Sequence, residues 1–250
     1  MDTQTIIETK DLTKEYDHQA AVDHLTLRIE EGEIFGFLGP NGAGKTTTLL
    51  MLLGLTRPSD GTAHVCGLDP MKKVREIKQF VGYLPENVGF YGDLDAVQSL
   101  EFIADLNGME RQAALDKIPE VLSVVGLSED AHKKVGVFSR GMRQRLGIAE
   151  VLIKDPKVLF LDEPTLGLDP DGAIRVIELI QSLNRERKIS VLISSHNLQQ
   201  VQKISHRVGI MIRGKMVAEG SIEALGKEKF GVGEEKYTLE EIYMKYFQEG

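Results

Sequence analysis

A single cysteine, Cys66, stands among 250 residues, so the chain forms neither an internal disulfide nor a cysteine-based zinc cluster. That usage points to a reducing compartment. No apolar run approaches the ~18 to 20 residues of a membrane span. The opening stretch, MDTQTIIETKD, is polar and acidic where a secretory signal carries an apolar core, so no cleaved signal is expected. A membrane partner stays open. Positive charge is also short: 30 basic against 38 acidic residues leave a net charge of −8 and no long basic run. This argues against nucleic acid as the main partner. What is present is a globular balance, 42% hydrophobic and 27% charged, in a chain long enough to bury a sizeable core as one large domain with a subdomain.

The strongest pattern is residues 34–53, IFGFLGPNGAGKTTTLLMLL. Ile34, Phe35, Phe37 and Leu38 read as a buried strand, Gly39 to Gly44 as a glycine-rich turn, and the apolar run after Lys45 and Thr46 as a helix. G-x-x-x-x-G-K-T between a strand and a helix is the P-loop. Its glycines let backbone N–H groups turn inward around a polyphosphate at a helix N-terminus. Lys45 is placed to reach the β- and γ-phosphates, and the Thr46 hydroxyl to hold Mg²⁺. The chain is therefore expected to bind a nucleotide.

Residues 5–10 and 25–31 alternate as half-exposed strands do, and residues 62–66 close a small sheet with them. Tyr16, between the first two, either packs on the surface or stacks on a purine. A strand-like run from Phe80 to Leu84 stops at Pro85 and delivers Glu86 to a strand exit, where α/β sheets meet their ligands. From Asp95 to Gly126 the pattern turns helical. Val97, Leu100, Phe102, Ile103 and Leu106 form one apolar face, and Leu115, Ile118, Leu122 and Val125 another, both read as core. They imply a helical subdomain inserted into the sheet domain. Ser139 is a natural N-cap for a helix carrying Met142, Leu146, Ala149 and Leu152. Its turn through Gly141 is either simply a well-capped helix start or a second anion site.

Residues 158–164, VLFLDEP, are a fully apolar strand running into two carboxylates. A buried parallel strand delivers them to the sheet edge that carries the P-loop. Asp162 suits Mg²⁺ organisation, and Glu163 suits polarising a water at the γ-phosphate. Residues 191–196, VLISSH, repeat the design and set His196 where it can hydrogen-bond a γ-phosphate. A turn over 165–172 and an amphipathic helix from Ala173 to Leu183 lie between them. Residues 207–221 read as a hairpin turning at Arg213-Gly214. A linker, Gly231 to Gly233, then leads to an amphipathic helix from Leu239 to Phe247, whose Ile242, Tyr243, Tyr246 and Phe247 dock on the core or on a partner.

Taken in order, these motifs resemble the ATP-binding cassette family over residues 5–225. The resemblance assigns Tyr16 to the adenine. It gives the nucleotide contacts as Gly39, Pro40, Asn41, Gly42, Ala43, Gly44, Lys45, Thr46 and Thr47. It places Glu86 at the Gln-loop, Ser139 and Gly141 in the signature, Asp162-Glu163 at the end of Walker B, Leu168-Asp169 in the D-loop and His196 as the switch histidine. Catalysis then falls to Glu163, His196 and Lys45, and the Mg²⁺ accompanying ATP to Thr46, Asp162 and Glu86. Two departures stand out. The usual LSGGQ is Phe138-Ser139-Arg140-Gly141-Met142, and the Gln-loop amide is replaced by the Glu86 carboxylate. YLPEN with SRGMRQRL looks like cassettes that serve ABC-2-type membrane subunits, and among these is similar to the copper-processing ATPase of nitrous-oxide reductase maturation.

The implied fold is an α/β P-loop NTPase with a mostly parallel sheet core, an N-terminal antiparallel β subdomain and an inserted helical subdomain. Residues 1–230 form the ATP-binding domain, with about 87–155 as its helical part, and 231–250 form the linker and final helix. The resemblance implies an ATPase subunit that energises an exporter, paired with a transmembrane permease and with a second cassette, identical or a sister. Such a chain is cytoplasmic and held at the inner face of the membrane by its partner. The alternative is a soluble cassette of another class, such as an iron–sulfur assembly ATPase. Chromosome-structure ATPases are disfavoured because no sustained heptads lie between Lys45 and Asp162.

Overall fold

The apolar runs around the P-loop form the centre of a six-stranded sheet in the computed structural model, which describes residues 4–231 and 237–249. β3 (Ile34–Leu38), β6 (Val158–Asp162), β7 (Ser190–Ser195) and β8 (Arg207–Ile212) are buried almost throughout. With β5 (Val81–Leu84) and β9 (Lys215–Gly220) they run in the order β5-β6-β7-β3-β8-β9. All pairs are parallel except the hairpin β8–β9. Strands covered on both faces need apolar residues at every position. In β6, Leu159 and Leu161 join one apolar cluster while Val158 and Phe160 join another on the opposite face. β7 divides the same way, with Val191 and Ile193 on one face and Leu192 on the other.

The second sheet is antiparallel, in the order β2-β1-β4, from β1 (Thr5–Tyr16), β2 (Gln19–Glu30) and β4 (Asp60–Val65). It shares an apolar cluster with α1 (Lys45–Leu52) and with Phe35 and Phe37 of β3. On the other face of the large sheet lie α3 (Ala96–Leu106), α4 (Arg111–Val124), α5 (Arg140–Leu152) and α6 (Pro170–Arg187). The mixed sheets bear out the expected fold class, although β1 and β2 extend well beyond residues 5–10 and 25–31.

The expected core stripes need correction. Phe102, Leu106 and Leu115 are exposed, Leu106 at 68%. Their place is taken by small residues: Ala96, Ser99 and Ala104 are buried beside Leu100 on α3, and Ala114 beside Ile118 on α4. Small side chains let these helices approach closely, so the bulky ones turn outward. Asp95 starts α3 with a capping box, accepting from the Gln98 N–H at 2.8 Å. Three short α-helices lie where no pattern marked them. These are α2 (Val74–Phe80), which buries Ile77, α7 (Leu198–Ile204) and α8 (Ile222–Phe230).

α7 (Leu198–Ile204) follows β7, and α9 (Leu239–Glu249) closes the chain. Thr238 and Glu241 bond reciprocally at the start of α9, the Thr238 hydroxyl donating to Glu241 Oε2 at 2.8 Å. Leu239, Ile242 and Tyr246 are buried with Val201 of α7 and Ile210 of β8, so the helix docks on its own core, while Phe247 is exposed. Of the expected linker, Val232 and Gly233 lie outside the described residues.

Candidate functional site

β3 ends at Leu38 and α1 begins at Lys45, so the loop between them opens onto a helix N-terminus. Two of its glycines are required by crowding. A Cβ on Gly44, whose φ is +106°, would meet the Ala21 carbonyl at 2.2 Å, and one on Gly39 would meet the Met211 carbonyl at 2.3 Å. The Arg213-Gly214 turn braces the loop from outside. Both residues have positive φ, as a tight hairpin requires, and the Gly214 N–H donates to the Ala43 carbonyl at 3.0 Å.

A cleft of about 450 Å³ lies over this loop, lined by residues 41–47 together with Tyr16, Ala21, Glu86, Asp162 and Glu163. Four segments far apart in sequence thus meet at one edge of the sheet, the C-terminal edge of its parallel strands. Tyr16 is half-exposed at the rim, with the Lys14 ammonium 4.7 Å from its ring centroid. Glu86 is exposed just beyond the end of β5.

Charges crowd the floor. Lys45 is 6% exposed, and its ammonium donates to the carbonyls of Gly39 at 2.7 Å and Pro40 at 3.2 Å. It lies 3.9 Å from Glu163 Oε1, beyond hydrogen-bond distance. Burial pushes the Lys45 pKa down, against the pull of Glu163, Asp162 and Glu86. Asp162 accepts from the Thr46 hydroxyl through Oδ2 at 2.8 Å and from the Ser194 hydroxyl through Oδ1. Glu163, 7% exposed, sits at φ 48°, a left-handed conformation that costs a non-glycine residue about 1 kcal/mol or more. Its Oε2 lies 2.9 Å from His196 Nδ1 and accepts from the His196 backbone N–H at 3.3 Å. Its Oε1 is buried without a hydrogen-bond partner.

Two residues at this site escaped the sequence reading. Tyr83 on β5 has its pKa pushed up to about 12, first by burial and then by the nearby Asp162 and Glu86 charges, so it stays a neutral phenol. Ser194 is fully buried against Asp162. The signature residues go elsewhere. Ser139 caps α5, accepting from the Met142 N–H at 3.2 Å, and neither it nor Gly141 lines the cleft. Arg140 packs its guanidinium against Gly167, and Gly141 faces Gly172 at the start of α6. In chemical kind, the cleft offers a helix N-terminus, a buried cation, hydroxyl and carboxylate oxygens, and one carboxylate oxygen free to accept.

A model of the family described as ABC transporter matches residues 22–166. The Bacitracin transport ATP-binding protein BcrA of Bacillus licheniformis is 46% identical over 223 residues, which cover 89% of this chain and 72% of that protein. The Nod factor export ATP-binding protein I of Burkholderia pseudomallei is 37% identical, covering 90% of this chain and 74% of its own length. Among solved structures, an ATP-binding subunit of an ABC transporter superposes with a TM-score of 0.85 at 26% identity, covering 97% of this chain and 100% of that one.

Proposed function

The chain belongs to the ABC transporter family as an ATP-hydrolysing subunit, and from that premise we propose how its residues divide the work. The triphosphate lies along residues 39–47, where Lys45 leaves its own loop carbonyls for the β- and γ-phosphates. Tyr16 stacks on the adenine from the rim. Mg²⁺ arrives with ATP as part of the substrate, and the residues present fit it. The Thr46 hydroxyl and Asp162 Oδ2, 2.8 Å apart, are oxygen donors of the kind a small hard cation takes, and Glu86 adds a carboxylate at the rim. Bound there, the ion offsets charge on the β- and γ-oxygens.

Glu163 polarises the attacking water, and His196 orients Glu163 and meets the γ-phosphate. The observation that carries this is Glu163 Oε1, buried beside Lys45 and without a hydrogen-bond partner, while Oε2 is held by His196. A carboxylate held by one oxygen and free at the other is arranged to take a proton. Glu163→Gln is expected to keep ATP binding and lower turnover ~10²- to 10⁴-fold. Near wild-type hydrolysis by that variant removes Glu163 from the role.

Ser139 and Gly141 serve the ATP of a second cassette. Supporting this, they stand away from their own cleft, and a Cβ on Gly141 would meet nothing nearer than Gly172 Cα at 3.9 Å. The glycine therefore answers no crowding within the chain. The membrane partner is an ABC-2-type permease and the direction is export, in keeping with relatives named for bacitracin transport and Nod factor export. Those names lend no support to the narrower copper-processing likeness. Among the described residues no helix is long and apolar enough to cross a membrane, so the chain reaches the inner membrane face through that permease. Residues 1–230 are the ATP-binding unit, with about 87–155 as its helical part, and 231–250 are the linker and final helix, of which α9 packs on the core through Leu239, Ile242 and Tyr246. Copurification with a polytopic membrane protein tests the pairing. A chain that purifies alone and active from membranes and cytosol alike favours the soluble alternative.

A further inference from the structure

In the sheet order, β7 lies between β6, which carries Asp162 and Glu163, and β3, which feeds the phosphate-binding loop. At the level of the cleft the residue on β7 is Ser194, registered with Asp162 on one side and with Phe37 on the other. Apolar Val191, Leu192 and Ile193 precede it on the strand, Ser195 follows it, and it is 0% exposed. A hydroxyl in such a place is costly unless it is hydrogen-bonded. The Ser194 hydroxyl donates to Asp162 Oδ1, and the Ser194 carbonyl accepts from the Glu163 N–H at 3.0 Å. One residue thus holds both carboxylate-bearing positions, one through its side chain and one through its backbone.

We propose that Ser194 is a positioning residue that turns the Asp162 carboxylate toward the metal. Hydrogen-bonded at Oδ1, the carboxylate loses rotation about its Cβ–Cγ bond, and Oδ2 is aimed at the Thr46 hydroxyl 2.8 Å away. When Mg-nucleotide enters, Oδ2 and Thr46 turn to the ion while the bond at Oδ1 persists, so Ser194 acts on the metal through Asp162. Outer partners that orient a metal-binding carboxylate are worth ~10- to 100-fold in metal affinity. The proposal rests on the reading of Asp162 as the Mg²⁺ carboxylate.

The test titrates Mg²⁺ in the ATPase assay of the full chain, and Mn²⁺ with ADP by paramagnetic resonance. Ser194→Ala is expected to weaken both apparent metal affinities about tenfold while nucleotide binding in EDTA is unchanged. Ser194→Thr and Ser194→Val add the same methyl group and differ only in the hydroxyl. Threonine should restore the metal dependence and valine should not, whatever strain the methyl brings. Equal titrations for threonine and valine overturn the proposal, as does a Ser194→Ala titration that overlays wild type. Asp162→Asn, run alongside, separates the two failures. If it shifts the metal dependence while Ser194→Ala does not, the Ser194 link fails and the Asp162 reading stands. If neither variant shifts it, both fall.

Discussion

Glu163 and Lys45 lie 3.9 Å apart inside the cleft, and each was legible in the sequence for a different reason. Lys45 stands in an eight-residue pattern with a mechanical meaning. Glu163 follows an apolar run that fixes it at the exit of a buried strand. Tyr83 and Ser194 were not legible in their roles. A tyrosine in a short strand or a serine in SSH acquires a role only once neighbouring strands are known. At this scale Glu150 gives a pH-dependent prediction. Burial pushes its carboxyl from 4.5 up to about 8. The folded state keeps a proton that the unfolded chain releases, so stability is highest on the acid side and falls as pH rises between those two values. Glu150→Gln should remove that fall. Its melting temperature is expected to match wild type near the lower value and to exceed it increasingly toward the upper one. A constant offset across that range would show that Glu150 does not titrate differently on folding.

Elements were legible where the apolar signal is long, as an unbroken run in a strand covered on both faces or as one face of a helix. The strands β3, β6 and β7 and the helices α5 and α6 follow that rule. α2 was not, since a seven-residue helix burying only Ile77 shows no periodicity. On α3 the period was right and the face was partly right. Leu100 is buried and Val97 and Ile103 pack against the core, while Phe102 and Leu106 turn outward. Alanines at 96 and 104 pack as tightly as leucines, and hydrophobicity alone chose Phe102 and Leu106 over them. The C-terminal helix was readable as amphipathic, but not in its choice between core and partner. Ile242, fully buried in the cluster with Val201 and Ile210, decides that choice. Ile242→Ala should cost about 2–4 kcal/mol in chemical denaturation of the isolated chain. A loss below about 0.5 kcal/mol would mean that α9 is not docked on this core in solution.

For the whole molecule, what no sequence pattern reveals is strand order. β7 follows β6 by way of α6, yet it lies between β6 and β3 and brings His196 and Ser194 to carboxylates more than 30 residues away. The same architecture leaves Ser139 and Gly141 outside the cleft that the other predicted site residues line or touch. Two helix N-termini facing one triphosphate offset more of its charge than one does. ATP would then hold two cassettes together until hydrolysis removes its γ-phosphate.

The central claim is a site completed by a second copy, and mixed dimers test it most directly. Combine Lys45→Ala chains with Ser139→Arg chains, isolate the heterodimer through two different tags, and measure its ATPase rate. If sites are shared, one site carries both lesions and the other carries neither. The account then predicts roughly half the wild-type rate per dimer, since one of two symmetric sites is intact. The heterodimer of wild type with the double mutant carries one lesion in each site and should be inactive. The reverse pattern, a dead mixed dimer beside an active wild-type and double-mutant pair, would place the whole site within a single chain and contradict the account.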